Sequence, residues 1–215
     1  MKERLMTVRE TLWQVMTGIY TVFVMPLLFI MGLIFALMLT SASETSAEKN
    51  ESILGVLFFW GPMFITVILW ARGVRLRRNQ LKKIVRLLKS QPYFSPVDEY
   101  HEVVNGSGVY FGIDTRNGTM LYVRLIRKGV VDILGLTLGD LTRREVEGKS
   151  KLRLYTRFTD PPCIEVRTAY GQRYFDMIGA MECKSYRTPL PFAEYVNDHI
   201  MDIERTFRVR RLAIS

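Results

Sequence analysis

The chain has 215 residues, of which 48% are hydrophobic, and its 30 lysines and arginines exceed its 21 aspartates and glutamates. Residues 72–89 carry eight basic and no acidic side chains, whereas residues 90–215 carry 18 basic and 16 acidic ones, so no domain face shows the excess of positive charge typical of nucleic-acid binding. Two cysteines and two histidines, without HExxH or CxxC spacing, argue against a disulfide framework and against a metal site.

Two uncharged segments predict a pair of membrane-spanning helices. Residues 15–39 form an uncharged run of 25 and residues 53–71 a run of 19, and a helix needs about 20 apolar residues to cross the hydrocarbon core. The 13-residue polar loop 40–52 between them predicts a transmembrane helical hairpin over residues 1–71. Two alternatives are a cleaved signal peptide, whose apolar region would be unusually long, and a buried helical hairpin of a soluble protein.

The distribution of basic residues around these segments predicts their orientation. Lys2, Arg4 and Arg9 precede the first segment and eight more basic residues follow the second, whereas the intervening loop contains Lys49 alone. Because lysine and arginine concentrate in cytoplasmic flanks, we expect both termini in the cytoplasm and loop 40–52 on the outer side of the membrane.

Residues 72–94 predict a basic juxtamembrane helix and a linker. Leu81, Ile84, Val85 and Leu88 recur at helical spacing, which predicts a basic amphipathic helix that starts at the membrane exit. We expect its charged side chains to contact anionic lipid headgroups, with a partner protein or nucleic acid as alternatives. These residues, called the basic collar, are Arg72, Arg75, Arg77, Arg78, Lys82, Lys83, Arg86 and Lys89.

Residues 95–215 predict a cytoplasmic domain that begins with short strands. Asn117-Gly118 between two alternating runs is a strong β-hairpin signal. The charged segment 139–151 predicts a turn or one short helix, and an apolar stripe over residues 188–207 predicts one amphipathic helix. The predicted strands are residues 109–114, 119–127, 130–138, 151–158, 163–169 and 172–178.

This order of elements predicts an α+β membrane protein. An N-terminal two-helix transmembrane hairpin is followed by a small cytoplasmic antiparallel β domain, a curled sheet or barrel like that of pleckstrin-homology (PH) domains. A C-terminal amphipathic helix closes or plugs it. A two-layer α+β sandwich fits the same pattern almost as well, and about 110 residues are enough for one core.

Catalytic patterns are missing from the sequence. We find no nucleophile–base set, P-loop or Rossmann fingerprint, and the glycine-rich stretch 105–108 lacks the lysine and the following helix of a phosphate-binding loop. His199 lies on the apolar stripe of the last predicted helix, where a core-edge role is expected. The sequence therefore predicts no enzyme, no catalytic or metal-ligating residue, no cofactor and no small-molecule substrate.

Exposed residues on a rigid frame are the best candidates for recognising another protein. Two charged or polar connections meet this description, the predicted turn 115–117 and the predicted connection 140–149. We expect partner-binding residues among Thr115, Arg116, Asn117, Asp140, Arg143, Arg144, Glu145, Glu147 and Lys149.

Two segments, residues 1–40 and 108–162, resemble ExcA-type entry-exclusion (surface-exclusion) proteins of I-complex conjugative plasmids. They read MKERLMTVRETLWQVMTGIYTVFVMPLLFIMGLIFALMLT and GVYFGIDTRNGTMLYVRLIRKGVVDILGLTLGDLTRREVEGKSKLRLYTRFTDPP. The resemblance implies an inner-membrane protein that blocks redundant conjugative transfer into a cell already carrying the plasmid. It also implies recognition of a TraY-type inner-membrane component of the donor's type IV transfer apparatus. No catalytic or binding residue can be assigned from this resemblance.

Other functions fit parts of the same pattern. A membrane-tethered lipid- or protein-binding adaptor with a PH-like domain is the main alternative, and a membrane enzyme or a channel subunit is less well supported. Ionisable residues within the spans would favour transport, and the two uncharged segments contain none.

Overall fold

The computed structural model of the protein describes residues 8–40, 46–97, 101–106, 108–127, 129–148 and 150–211. Contacts divide the chain into two compact units, an N-terminal unit up to Gly73 and a C-terminal unit from Val74 onward. The N-terminal unit contains helices α1 (Val8–Ile19) and α2 (Met25–Met38) and the start of α3 (Ser46–Leu88). The remainder of α3 belongs to the C-terminal unit, which also contains the strands that the structure describes.

A widened helical turn joins α1 to α2. Residues Tyr20–Val24 form a π-helical segment, and Pro26 follows directly after it, in the first turn of α2. Proline has no N–H to bond the carbonyl of Val22, and its ring would clash with that carbonyl in a regular α-helix. The π-helical turn relieves this clash, so the chain continues as a helix through the predicted first span.

Antiparallel contacts join the first apolar segment to α3. The Tyr20 and Thr66 hydroxyl oxygens lie 3.2 Å apart, and Trp60 Nε1 donates to the Phe29 carbonyl at 3.3 Å. The rings of Phe29 and Trp60 stack with their centroids 6.1 Å apart. Gly32 faces the same indole, since a Cβ at this position would lie 2.0 Å from Trp60 Cδ1. Close approach of the helices therefore requires glycine here.

Both apolar helices expose large hydrophobic side chains. The segments Val15–Met38 and Lys49–Leu88 are long and apolar enough to cross a membrane by length and composition. Phe23, Phe58 and Trp70 are each about 70% exposed. Such surfaces are costly in water and are expected where lipid covers a helix.

Helix α3 continues without interruption from the predicted second span into the predicted basic helix. Leu81, Ile84 and Leu88 are fully buried and Val85 is 3% exposed, all within a hydrophobic cluster of the C-terminal unit. The apolar face of this helix therefore packs against protein. The prediction of a helix over this segment is confirmed.

Within the described residues, eight strands form two sheets in the C-terminal unit. The first sheet has the order β1-β2-β3-β4-β8, antiparallel except that β8 pairs with β4 in parallel, and the second has the antiparallel order β5-β6-β7. The hairpin at Asn117-Gly118 is confirmed, with Asp114 opposite Thr119. The strands are β1 (Glu102–Val104), β2 (Val109–Asp114), β3 (Thr119–Arg127), β4 (Val130–Thr137), β5 (Leu141–Glu147), β6 (Lys151–Thr156), β7 (Cys163–Arg167) and β8 (Arg210–Arg211).

Three elements differ from the sequence-based expectations. The segment predicted as a turn or short helix contains β5, which pairs with β6. The segment predicted as a strand over residues 172–178 is helix α4 (Gly171–Met181), because Tyr174, Ile178 and Met181 are buried at helical spacing. The single C-terminal helix is two helices, α5 (Phe192–Asp198) and α6 (Ile200–Phe207), which meet at His199.

Both faces of the first sheet are covered, which explains why all six residues of β2 are buried. Tyr110 on one face belongs to a cluster with the end of α3 and with α5 and α6. Phe111 and Ile113 on the other face belong to a second cluster with β6, β7 and α4. The first sheet is thus a central layer between helices and the second sheet. This layering confirms an α+β fold.

Candidate functional site

The turn between β2 and β3 is held by a buried carboxylate. Asp114 is fully buried and accepts hydrogen bonds from the backbone N–H groups of Ser95, Arg116 and Asn117 at 2.7, 2.9 and 3.2 Å. The Asn117 side-chain amide also donates to Asp114, at 2.9 Å. Asp and Asn favour such turns because their side chains bond the local backbone. The candidates Thr115, Arg116 and Asn117 therefore lie on a rigid turn, with Arg116 exposed.

A second rigid connection links β4 to β5. Leu138–Asp140 form a single 3₁₀ turn, and the Asp140 carboxylate accepts hydrogen bonds from Thr137 N at 2.7 Å and from Thr137 Oγ1 at 2.8 Å. The Thr137 side chain in turn accepts a hydrogen bond from the Asp140 backbone N–H, and this reciprocal arrangement is a capping box. Asp140, predicted as a partner-binding residue, thus has a carboxylate oxygen engaged in stabilising its own turn.

Tertiary structure brings these two connections together around a polar groove. The groove has a volume of about 360 Å³ and is bounded by the β2–β3 turn, the β4–β5 connection and the segment after α4. Its lining residues are Asn117, Gly118, Thr119, Thr137, Leu138, Gly139, Lys184, Tyr186 and Thr188. Residues 184–188 are remote from the other two connections along the chain and were not among the predicted partner-binding residues.

The remaining candidates lie on strand β5, and alternation divides them between its two faces. Arg143 is 70% exposed at its side chain, forms an ion pair with Glu145 and lies 6.0 Å from the Tyr155 ring centroid. Arg144 lies on the other side, where its guanidinium pairs with Glu182 and lies 4.7 Å from the ring centroid of Phe175. Arg144 thus links α4 to strand β5 of the second sheet. Lys149 lies outside the described residues.

The solvent-facing side of the second sheet carries paired charges on all three strands. Lys151 Nζ lies 3.0 Å from Glu147 and 3.1 Å from Glu165, and Arg153 lies 2.9 and 3.1 Å from the same two carboxylates. Tyr155 donates to Glu145 at 3.0 Å. We call this surface the charged face. Its residues are Arg143, Glu145, Glu147, Lys151, Arg153, Tyr155 and Glu165.

The pKa values on the charged face follow from this pairing. The hydrogen bond from Lys151, together with the charge of Arg153, lowers the pKa of Glu147. Burial raises the pKa of Glu165, but hydrogen bonds from Lys151 and Arg153 outweigh it and lower the value overall. The carboxylates therefore stay ionised at neutral pH. A partner that binds this face must replace the ion pairs between its own side chains. This requirement favours selective binding over strong binding.

Sequence reasoning found only part of this face. Arg143, Glu145 and Glu147 were predicted as partner-binding residues, whereas Lys151, Arg153 and Glu165 were not. Their spacing of two residues along predicted strands is a signal that could have identified them, because alternate residues share a face. Their pairing across strands depended on recognising β5 as a strand.

All eight residues of the basic collar are exposed on α3 or directly after it. Lys89 forms an ion pair with Glu102 at the start of β1, so one collar charge joins the helix to the first sheet. The apolar face of this helix is buried, whereas Leu76 and Leu87 lie exposed among the collar residues. Contact of these charges with lipid headgroups stays a prediction.

Metal-ligand clusters and reactive thiols are two common bases of catalysis. The described residues contain no group of three or more His, Cys, Asp or Glu side chains that could hold a metal ion. Cys163 is half-buried, and burial followed by the charge of Glu165 raises the pKa of its thiol. A raised pKa disfavours the nucleophilic thiolate.

Comparison of the whole chain with known proteins adds what the side chains alone do not define. A family model described as exclusion-determining protein matches residues 1–213. No curated protein and no solved structure matches the chain.

Proposed function

Since the chain belongs to the exclusion-determining protein family, we propose that it acts in plasmid entry exclusion by recognising the incoming transfer apparatus. The observation that carries this proposal is the match of the family over residues 1–213, which includes both compact units. We therefore propose that the apolar helices and the strand-rich unit both contribute to exclusion.

The proposed partner is a TraY-type inner-membrane protein of the donor's type IV transfer apparatus, as the resemblance to ExcA-type proteins implies. The groove and the charged face support a recognition role, because both hold polar groups on short, hydrogen-bonded frames. We propose binding without catalysis, since the described acidic residues of these surfaces bond to backbone groups or to basic side chains.

The proposed location is the bacterial inner membrane, with both termini cytoplasmic and residues 40–52 periplasmic. Support comes from two helices apolar enough to span and from the excess of basic residues in the flanks. In this arrangement the spans form a hairpin within residues 1–71, and the collar contacts anionic headgroups. We place the start of the cytoplasmic domain at Val74 instead of residue 95, because the core includes the last turns of α3.

A PH-like arrangement is the proposed architecture of the cytoplasmic domain. It is supported by four antiparallel strands, β1 to β4, followed by three, β5 to β7, and then by α4. The end of α3 and helices α5 and α6 add a layer on the outer face of the first sheet.

A mating assay tests the proposed function. Recipient cells that express this chain alone should receive the cognate plasmid at least about tenfold less often than cells with an empty vector, a change that corresponds to ~1.4 kcal/mol in an equilibrium. An unrelated conjugative plasmid should enter both recipients equally. Equal entry of the cognate plasmid, with the chain present in the membrane, would contradict the proposal.

Exclusion specificity should follow the C-terminal unit. We expect that exchanging residues 74–215 between this chain and a relative of different specificity transfers the specificity, since the groove and the charged face both lie there. The exchange starts at Val74 so that the core clusters stay intact. Mating frequencies against both donor plasmids provide the measurement. Specificity that stays with residues 1–73 would instead implicate the loop at residues 40–52.

A further inference from the structure

The polar groove has the lining of a binding site for an extended, polar ligand. Except for Leu138 and the two glycines, every lining residue carries a hydrogen-bonding side chain. Two of its three walls are stabilised independently, one by Asp114 and the other by the capping box at Asp140. Its volume of about 360 Å³ lies at the lower end of the ~300–1,000 Å³ range of ligand sites.

Three exposed side chains in or next to the groove are positively charged. Arg116, Lys184 and Arg187 are exposed, and none forms an ion pair with an acidic residue in the part of the chain that the structure describes. Lys184 lines the groove, and the two arginines adjoin lining residues along the chain. The nearby carboxylates of Asp114 and Asp140 are directed at backbone N–H groups. Within the described residues, no carboxylate therefore pairs with Lys184 in the groove or with the two arginines next to lining residues.

Tyr186 adds a hydrogen-bond donor. Its ring lies against Gly118, where a Cβ would come within 2.3 Å of Tyr186 Cγ. Its hydroxyl is shielded from solvent and has no hydrogen-bond partner within the described structure. Burial, followed by the charge of Asp114, raises the pKa of this hydroxyl, so it stays protonated. A buried donor without an acceptor is costly.

We propose that this groove binds an acidic segment of the partner protein, with its carboxylates facing Arg116, Lys184 and Arg187. This inference rests on the proposed function and assigns the recognised chemistry to one surface. A lipid headgroup has similar charge, but it is common to all recipients and so carries no information about the donor. Discrimination between plasmids therefore favours a protein segment as the occupant.

Charge reversal in the full-length chain tests the groove. Recipients that express Lys184→Glu with Arg187→Glu should lose exclusion of the cognate plasmid by at least about tenfold, because like charges placed opposite each other cost several kcal/mol at an interface. Arg205→Glu, at an exposed arginine of α6 that neither lines the groove nor adjoins a lining residue, is the control and should leave exclusion unchanged. Equal amounts of each variant in the membrane show that folding is preserved.

Selection for donors that escape exclusion identifies the occupant. Donor plasmids that enter wild-type recipients should carry substitutions of Asp or Glu in one segment of a transfer-apparatus protein. Donors in which such a residue is changed to Lys should be excluded again by the Lys184→Glu, Arg187→Glu recipient. Escape that never involves acidic residues would overturn the proposal and favour a lipid headgroup as the occupant.

Mating frequencies also separate this inference from the proposed function. Full exclusion by the Lys184→Glu, Arg187→Glu variant would contradict binding at the groove and leave the proposed function in place. Equal loss of exclusion in the Arg205→Glu control would have the same meaning. Failure of the wild-type chain to exclude the cognate plasmid would instead overturn the proposed function.

Discussion

A fragment of residues 74–215 should fold cooperatively in water, whereas a fragment of residues 95–215 should not. The shorter fragment lacks Leu81, Ile84, Val85 and Leu88, which are 0–3% exposed in the core against the first sheet. Burial of such a side chain contributes about 1.5–3 kcal/mol. The four together contribute on the order of 6–12 kcal/mol, which is comparable to the ~5–15 kcal/mol stability of a whole domain.

Thermal unfolding followed by circular dichroism, together with the dispersion of amide signals in NMR spectra, measures this difference. Two substitutions in the longer fragment give a matched comparison on the same helix. Leu88→Ala, at a fully buried position, should lower the free energy of unfolding by about 2–5 kcal/mol. Leu87→Ala, at a position 44% exposed, should change it by about 0.5 kcal/mol or less. A stable 95–215 fragment, or equal effects of the two substitutions, would show that α3 is not part of this core.

Gly32→Val should separate the two apolar helices and abolish exclusion. A Cβ at residue 32 would lie 2.0 Å from Trp60 Cδ1 and from Nε1, far inside any normal contact, and the ring is held by stacking on Phe29 and by its hydrogen bond to the Phe29 carbonyl. Overpacking of this kind costs about 1–3 kcal/mol or more. In lipid, close contact between small residues and a neighbouring helix is a main source of helix association.

Gly18→Val provides the matched control, since no atom lies within 4 Å of a Cβ at that position. It introduces the same β-branched side chain into the same helical segment and should leave exclusion unchanged. Adding Trp60→Ala to Gly32→Val removes the clashing ring and should restore part of the lost stability. Thermal unfolding of the full chain in detergent and mating frequencies are the two measurements. Loss of function at both glycines alike would point to the helical backbone instead of the contact with Trp60.

The amino-acid sequence alone determined those features that depend on a few neighbouring residues. The hairpin between β2 and β3 was predicted with both strands in place, because Asn117-Gly118 favours the turn and Gly118 adopts a φ of +70°. The two apolar segments and the family resemblance were also evident from the sequence, since length, charge and residue order are its direct properties.

Contacts between remote segments decided the rest. Periodicity identified the apolar face of α3, but whether membrane or protein covers that face depends on the first sheet and on α5. The charged residues 141–147 became a strand because β6 offers them a hydrogen-bonding edge, and residues 172–178 became helical because one face fits the core below the second sheet. The groove likewise exists only because folding brings residues 117–119, 137–139 and 184–188 together. Residues far apart in the chain provide the strand edges, the core contacts and the walls of the groove. Local propensity does not encode such contacts.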